Sequence, residues 1–362
     1  MKALPEVPFL KKLSSTLLCL ILIVFIFYIG QHILIPLMFS ILLATLLLPV
    51  ANFINRKLKM HRTLSIILAL VGAVIVMSSV IYFLTTQVAG FFDDMPMIQG
   101  RLVYIEDEIK LWVFHNLNIS IEAQNAWLAD MISDLQTGGM VGRTFFTLTG
   151  ILSWVILVPI YTFLVLYYKD LIKQFLIDVF KDDHKEKVSE VLQESLAISQ
   201  LYITGLLTEL VIVFALNAFG FFIFGIKFAL FMGLLAALLN LLPYIGMIIA
   251  NILCMLITLI SCDSLTEVPL VAVVLVVVHL IDNSFIMPMV VGSKVRVNAL
   301  AIIVGVLIGG GLFGVFGMFL AIPGLAVLKV LFDRVEGLEP YGRLLGDYKS
   351  QPAQKKIKLA EA

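Results

Sequence analysis

Residues 13–55 and 297–328 of this chain contain no Asp, Glu, Lys or Arg. Few environments accept such stretches. About 20 apolar residues cross a hydrocarbon core about 30 Å thick, so each run exceeds a single crossing and the longer one can hold two membrane segments. Composition agrees: 61% of the 362 residues are hydrophobic, 14% are charged, and mean hydropathy is +1.06. A soluble domain of this length does not reach those values, and the chain needs lipid as its solvent. The formal net charge is zero, which gives no reason to expect a nucleic-acid or other polyanionic partner. The apolar run behind Lys11 and Lys12 continues through Pro36 to Val50 with no small-residue cleavage site, so it reads as membrane segments rather than a leader peptide. Cys19, Cys254 and Cys262 lack metal-ligand spacing and read as packing residues.

The charges that exist are gathered in loops, and their signs assign the sides. The first apolar block breaks at Gly30, Gln31 and His32, giving spans over 16–29 and 33–50 joined by a tight turn; a third follows over 64–85. Arg56, Lys57, Lys59 and Arg62 between the second and third spans form a basic loop that belongs in the cytoplasm, in keeping with Lys2, Lys11 and Lys12. Residues 91–143 carry eight acidic groups against Arg101, Lys110 and Arg143, and read as extracytoplasmic. Within them Ile98, Leu102, Ile105, Ile109 and Trp112, and then Leu128, Met131, Ile132 and Leu135, recur at helical spacing and predict two amphipathic helices. A fourth span returns over 145–168, and residues 169–199 follow with five lysines as a charged amphipathic pair in the cytoplasm.

From Tyr202 onward the apolar segments become Gly-rich and interrupted. One span covers 201–225 and holds Glu209 and Asn217; residues 228–260 are apolar but split over 240–246. A further span, 269–289, ends at Lys294 and Arg296, and the run after Asn298 is broken over 309–314 before the basic tail. By charge, each interrupted run begins and ends on one side, the first outside and the second inside, so both are predicted to be hairpins. They are either fully spanning or re-entrant. Span plus hairpin followed by span plus hairpin in the opposite sense is an inverted repeat, a plan in which broken helices line a site near the bilayer midplane. The stretches Phe228-Ala229-Leu230 with Gly233 and Asn298-Ala299-Leu300 with Gly305 echo each other weakly.

The fold class expected is therefore an all-α polytopic membrane protein with about six full spans and two interrupted hairpins, roughly eight to ten membrane segments in all. It divides into a three-span region (1–90), an extracytoplasmic helical insert (91–144), a fourth span (145–168), cytoplasmic amphipathic helices (169–200), a transport core (201–332) and a cytoplasmic tail (333–362).

At the interrupted segments the chain resembles the autoinducer-2 exporter family of bacterial membrane proteins, the PerM-like permeases. The matching residues are Gly233-Leu234-Leu235-Ala236 through Asn240-Leu241-Leu242-Pro243-Tyr244-Ile245-Gly246, Asp282-Asn283 with Pro288, Val291-Gly292-Ser293-Lys294, Leu307-Ile308-Gly309-Gly310 through Gly314 and Gly317, and Ala321-Ile322-Pro323-Gly324 through Val330. Met247 and Ala299 stand where members commonly have proline. The resemblance implies an oligomeric inner-membrane exporter or exchanger, with autoinducer-2 or sodium against protons as the cargo.

His279 and Asp282 are three apart on one span and share a helix face; an ionised group at that depth costs about 2.5–3.5 kcal/mol or more unless it meets a cavity or a partner. They are candidates for a proton- or cation-coupling pair, with Asn283 beside them; the alternative is a structural hydrogen bond to a hairpin. Glu209 is the second intramembrane acid. Asn240, Pro243, Tyr244 and Gly246 form the first hairpin tip, and Gly309, Gly310, Gly311 and Gly314 the second, with Pro323 beyond it. Glycine permits close backbone approach and proline frees a carbonyl, which suits ligand-lining tips, although small residues also serve helix packing. No GxxxxGK[ST], HExxH or GxSxG sequence occurs, which argues against an ATP-driven pump and against an enzyme, and no cofactor is expected. The reading is a secondary transporter of a small polar solute or cation, working as a homo-oligomer with both termini cytoplasmic. A non-transporting scaffold or passive channel is the competing one.

Overall fold

A computed structural model describes residues 9–93, 95–127, 129, 148–243, 245–261, 266–290, 297–335 and 337–346. Among these residues the protein is helical and without strands, the only β pairing being an isolated bridge between Val297 and Gly346. The helices are α1 (Phe9–Ile29), α2 (Gln31–Leu58), α3 (Arg62–Asp93), α4 (Met95–Leu117), α5 (Leu148–Tyr167), α6 (Lys169–Asp178), α7 (Asp182–Ile223), α8 (Ala229–Asn240), α9 (Ile245–Ser261), α10 (Glu267–Ile281), α11 (Met287–Val290), α12 (Ala299–Arg334) and α13 (Glu339–Leu345). A π-helical turn, Asp282–Ile286, joins α10 to α11.

Five of the described stretches are long and apolar enough to cross a membrane: Gln31–Leu58, Arg62–Gly90, His184–Ile223, Glu267–Val290 and Ala299–Arg334. The pair Trp154–Tyr167 and Lys169–Asp178, bent by 65°, adds a sixth. Their surfaces are covered with large apolar side chains such as Val76, Phe222 and Leu300, each more than 60% exposed, which water would not tolerate on this scale and hydrocarbon does.

The chain folds as two compact units: Met1–Ile67, Leu157–Gly205 and Val291–Ala362 in one, Leu68–Ile156 and Leu206–Val290 in the other. In the first, α1 and α2 pack on α12 through Phe27 against Phe313 and through Phe39 against Phe316 and Phe319. The expected turn at Gly30–His32 is narrower than the sequence suggested. Gly30 N–H bonds Ile26 O and Leu34 N–H bonds Gly30 O, so only Gly30 falls outside the helices. At the other end of α2, Arg56 and Lys57 occupy the last turn, where cations suit the negative end of the helix dipole. Arg62 spreads its guanidinium over Leu166 O, Tyr167 O and the Asp170 carboxylate, supplying donors to the free carbonyls at the end of α5 where the chain bends into α6.

The run after Asn298 is a hairpin, but its reversal is displaced from the glycine triplet. Gly309, Gly310 and Gly311 lie within the first arm (299–313), and the chain turns at Gly314, whose φ of 62° and ψ of −148° only glycine adopts cheaply. The arms cross in contact: a Cβ on Gly309 would overlap the carbonyl of Gly317, and one on Gly317 that of Gly309. Both ends of the run lie together, because Asn298 caps Ala301 N–H with its oxygen and donates its amide to Leu344 and Gly346 of the α13 segment.

Residue 200, where a change in charge density suggested the boundary between cytoplasmic helices and core, lies inside a helix. α7 runs through it as one helix of 42 residues. No Gly or Pro occurs between Asp182 and Thr204, so nothing in the backbone interrupts the helix there.

In the second unit, the core is built where α7, α8, α9 and α10 meet, with Phe221, Met232, Cys254 and Val271 fully buried. Small residues bring the backbones close: Gly220 faces Val274, and Gly233 faces the backbone of Ala218. Residues 95–117 contribute α4, which packs on α9. The second stripe expected there, Leu128, Met131, Ile132 and Leu135, lies outside the described residues, as do Cys262, Asp263, Lys294 and Arg296.

Candidate functional site

α8 is only 12 residues long and therefore about 18 Å from end to end, less than the hydrocarbon thickness. It ends at Asn240, and α9 begins at Ile245 after a turn containing Pro243. The turn is tight because Gly246 lies directly against the carbonyl of Leu239, where a Cβ would overlap. The arms then run antiparallel: Thr258 Oγ1 reaches Met232 Sδ at 3.5 Å, and Cys254 Sγ lies 3.8 Å from Met232 O.

That short arm places Asn240 between two carboxylates from other helices. Its Nδ2 donates to Asp282 Oδ2 at 2.9 Å and to Glu209 Oε1 at 3.3 Å. Glu209 comes from the middle of α7 and Asp282 from the end of α10; they are 7% and 3% exposed. The second oxygen of each, Glu209 Oε2 and Asp282 Oδ1, is buried without a hydrogen-bond partner. Asp282 opens the π-helical turn, in which Met287 N–H bonds Asp282 O five residues back. The following Pro288 has no N–H to give to the carbonyl four residues earlier, which favours the wider turn. His279, one turn before Asp282, is half-buried, and its Nε2 lies 2.7 Å from the Asn283 amide on the more exposed side.

Beside this cluster is a cavity of about 20 Å³ lined by Asn217, Asn240, Met247, Asn251, His279 and Asp282, with Val213, Ala236, Ala250, Leu275 and Val278 as its apolar wall. That is room for about one water molecule. Asn217 and Asn251 were not among the residues singled out as a site. Each commits its Nδ2 to the carbonyl four residues back, Val213 O at 3.0 Å and Met247 O at 2.9 Å. Asn217 is 2% exposed and its Oδ1 has no partner. The signal available in sequence was the spacing Glu209, Val213, Asn217, which keeps two polar groups near one face of α7.

The structure thus gathers Glu209, Asn240, His279 and Asp282, with Asn283 bonded to His279 and with Pro243 and Gly246 forming the adjacent turn. Tyr244 lies outside the described residues. Gly309, Gly310, Gly311, Gly314 and Pro323 belong to the other compact unit, where Gly309 and Gly310 pack against Gly317 and Met318. Among the described residues no group of three or more His, Cys, Asp and Glu side chains is arranged to hold a metal ion.

Residues 17–337 match the model of the AI-2E family transporters. YrrI of Bacillus subtilis (strain 168), named provisionally as a transport protein, is 26% identical over 315 residues, which are 83% of this chain and 86% of that one. A Thermotoga maritima protein with the same kind of name is 25% identical over 328 residues, 88% of this chain and 96% of its own. YhhT of Escherichia coli (strain K12), also so named, is 31% identical over 127 residues, 35% of this chain and 36% of its own. With the match extending over nearly its whole length, this multi-spanning chain belongs to the AI-2E family of membrane transporters.

Proposed function

We propose that the protein is a secondary transporter that exports or exchanges a small polar solute or ion across the bacterial inner membrane, by alternating access at the tips of its two hairpins. The cargo is an autoinducer-2-type signal or sodium exchanged for protons. The observation that carries this reading is the Glu209–Asn240–Asp282 cluster, in which two carboxylates from separate membrane helices meet the polar tip of a hairpin too short to span. Two buried carboxylates sharing one neutral donor are best stabilised by one positive charge, a proton or a cation, and intramembrane acids of this kind mark ion pathways. Gly314 gives the second hairpin a comparable tip, and an inverted repeat would bring the two tips into equivalent roles on opposite sides of the cycle.

The distribution of Lys and Arg supports cytoplasmic termini. A solute of several heavy atoms would need the cavity beside Asp282 to widen, whereas a single ion would not.

The test is transport by the purified protein in liposomes across a panel of solutes, with and without sodium and proton gradients. Wild type should move at least one cargo against its gradient, and Asp282→Asn should abolish coupling. If neither autoinducer-2-like solutes nor sodium against protons are moved, and Asp282→Asn leaves cellular phenotypes unchanged, the reading is wrong. Single-channel conductance would replace it with a passive channel.

A further inference from the structure

We infer that the pocket between α6, the start of α7 and the end of α12 holds one acyl chain of an anionic phospholipid, and that α6 lies along the membrane surface with its lysines beside the lipid phosphate. Such a site serves the protein whatever cargo it carries.

α6 has the pattern of an interfacial helix. Leu171, Ile172, Phe175, Leu176 and, just past its end, Val179 fall on one arc of its surface, with Asp170, Lys173, Gln174 and Asp178 on the other. No residue within α6 is buried, and Leu171, Phe175 and Val179 are each more than 60% exposed, so protein does not cover that arc among the described residues. Ten residues make about 15 Å of helix, too short to cross a bilayer, and four of them are charged. The chain direction supplies the alternative. α5, with 20 residues, has the length of one crossing, and the chain bends by 65° as it enters α6. Membrane helices tilt by about 20° on average, which leaves α6 within about 45° of the membrane plane. Tyr167 and Tyr168 stand at the bend, and their amphipathic rings suit headgroup depth. Arg62 holds the bend by donating to Leu166 O and Tyr167 O.

One border of the apolar arc continues into the protein. Leu176 and Phe180 line a pocket of about 470 Å³ together with Val188 and Val191 of α7 and Leu331 and Val335 of α12. That volume lies in the range of about 300–1,000 Å³ that takes an organic ligand, and a wall of this kind suits hydrocarbon. The polar members of the lining are His184, Lys187 and Arg334, all of them basic residue types. Arg334 is committed to Glu190 and Glu194, and Lys185 nearby to Asp178 and Asp182. Lys169 and Lys173 form no ion pair among the described residues, and they lie seven and three residues before Leu176, which sets them along the border that leads into the pocket. An apolar slot with lysines at its edge matches a phospholipid in both parts, chain and phosphate. The chain's own residues 347–362 match it less well, since they bring Lys349, Lys355, Lys356 and Lys358 against Asp347 and Glu361.

Quenching by brominated lipid tests this. Phe180→Trp puts a fluorophore in the pocket and Phe175→Trp puts one on the exposed arc, each in the full-length protein in phosphatidylcholine vesicles, with wild type giving the background of the native tryptophans. Phosphatidylglycerol or phosphatidylcholine with brominated acyl chains, which quench indole on contact, is then titrated in. Quenching of Phe180→Trp should saturate at a low fraction of brominated phosphatidylglycerol, with about a 25-fold preference over brominated phosphatidylcholine, about fivefold for each of two lysines. Phe175→Trp should respond to both lipids in proportion to their mole fraction. Adding Lys173→Gln and Lys187→Gln, both at exposed positions where folding is not at risk, should remove most of the preference. Equal quenching of Phe180→Trp by the two lipids, or an unchanged preference in the lysine variant, would overturn the inference. Quenching of neither fluorophore would show that protein covers this face, a second copy or residues 347–362, and would overturn it as well. All of these readouts are independent of transport, so the cargo reading stands or falls separately.

Discussion

Replacing Asn240 by leucine keeps the side-chain bulk at the hairpin tip and removes the one donor shared by Glu209 and Asp282. The 2.9 Å bond to Asp282 has good geometry and the 3.3 Å bond to Glu209 is longer. Hydrogen bonds to charged groups contribute about 1.5–3 kcal/mol each, so about 2 kcal/mol belongs to the first and roughly 1 kcal/mol to the second. The expected loss of about 3 kcal/mol is large beside a total stability of about 5–15 kcal/mol. The assay is a double-mutant cycle by thermal or denaturant unfolding in detergent, with Asn240→Leu, Asp282→Asn and the pair. Asp282→Asn removes the charge that most needs Asn240, so the double variant should be more stable than the sum of the single losses predicts, by about 2 kcal/mol. Strict additivity would show that Asn240 and Asp282 do not act on one another, and the site as described would have to be abandoned.

Other residues give independent checks. Gly317→Ala should destabilise the protein by about 2 kcal/mol or more, because its Cβ has the Gly309 carbonyl in its place, whereas Gly311→Ala, with open space around it in the same arm, should be neutral or stabilising by up to about 1 kcal/mol; thermal unfolding of both variants compares them. Gly314→Ala should cost about 1–3 kcal/mol from the backbone conformation alone, even though nothing crowds that position, and Gly314→Asn should cost as much in the same assay, because this φ/ψ region lies outside the left-handed helical one that asparagine tolerates. Arg62→Ala should cost about 1–2 kcal/mol by releasing Leu166 O and Tyr167 O, and Asp170→Ala much less, which unfolding at two salt concentrations will separate from simple charge loss. Arg334→Ala, which breaks half-exposed pairs to Glu190 and Glu194, should change stability by less than about 1 kcal/mol, and that change should vanish at high salt.

How much of this was readable in advance differs from residue to residue. Glu209 and Asp282 announce themselves because an acid among apolar residues is costly wherever it points, and Asn240 because it ends an apolar run with Pro243 close behind. Asn217 and Asn251 do not, since a single asparagine in a membrane helix has the same appearance whether its oxygen faces a cavity or its own backbone. Their meaning depends on what α10 places opposite. The glycine triplet 309–311 looked like the weak point of its run, yet glycine serves two purposes there. Gly309 permits the close crossing of two helices, and only Gly314 takes the backbone conformation that reverses the chain. The boundary expected at residue 200 rests on charge density, which side chains carry and backbone hydrogen bonds do not. The π-helical turn at Asp282 follows from Pro288, a local cause, but its register against Asn240 is a tertiary fact.

The smallness of the cavity beside Asp282 bears on the arithmetic of a cycle. A compartment that admits one particle cannot fill in stages within a subunit, so occupancy there follows a simple hyperbola with a Hill coefficient of one. Steeper dependence on ion concentration, if it is measured, would have to originate at a second site.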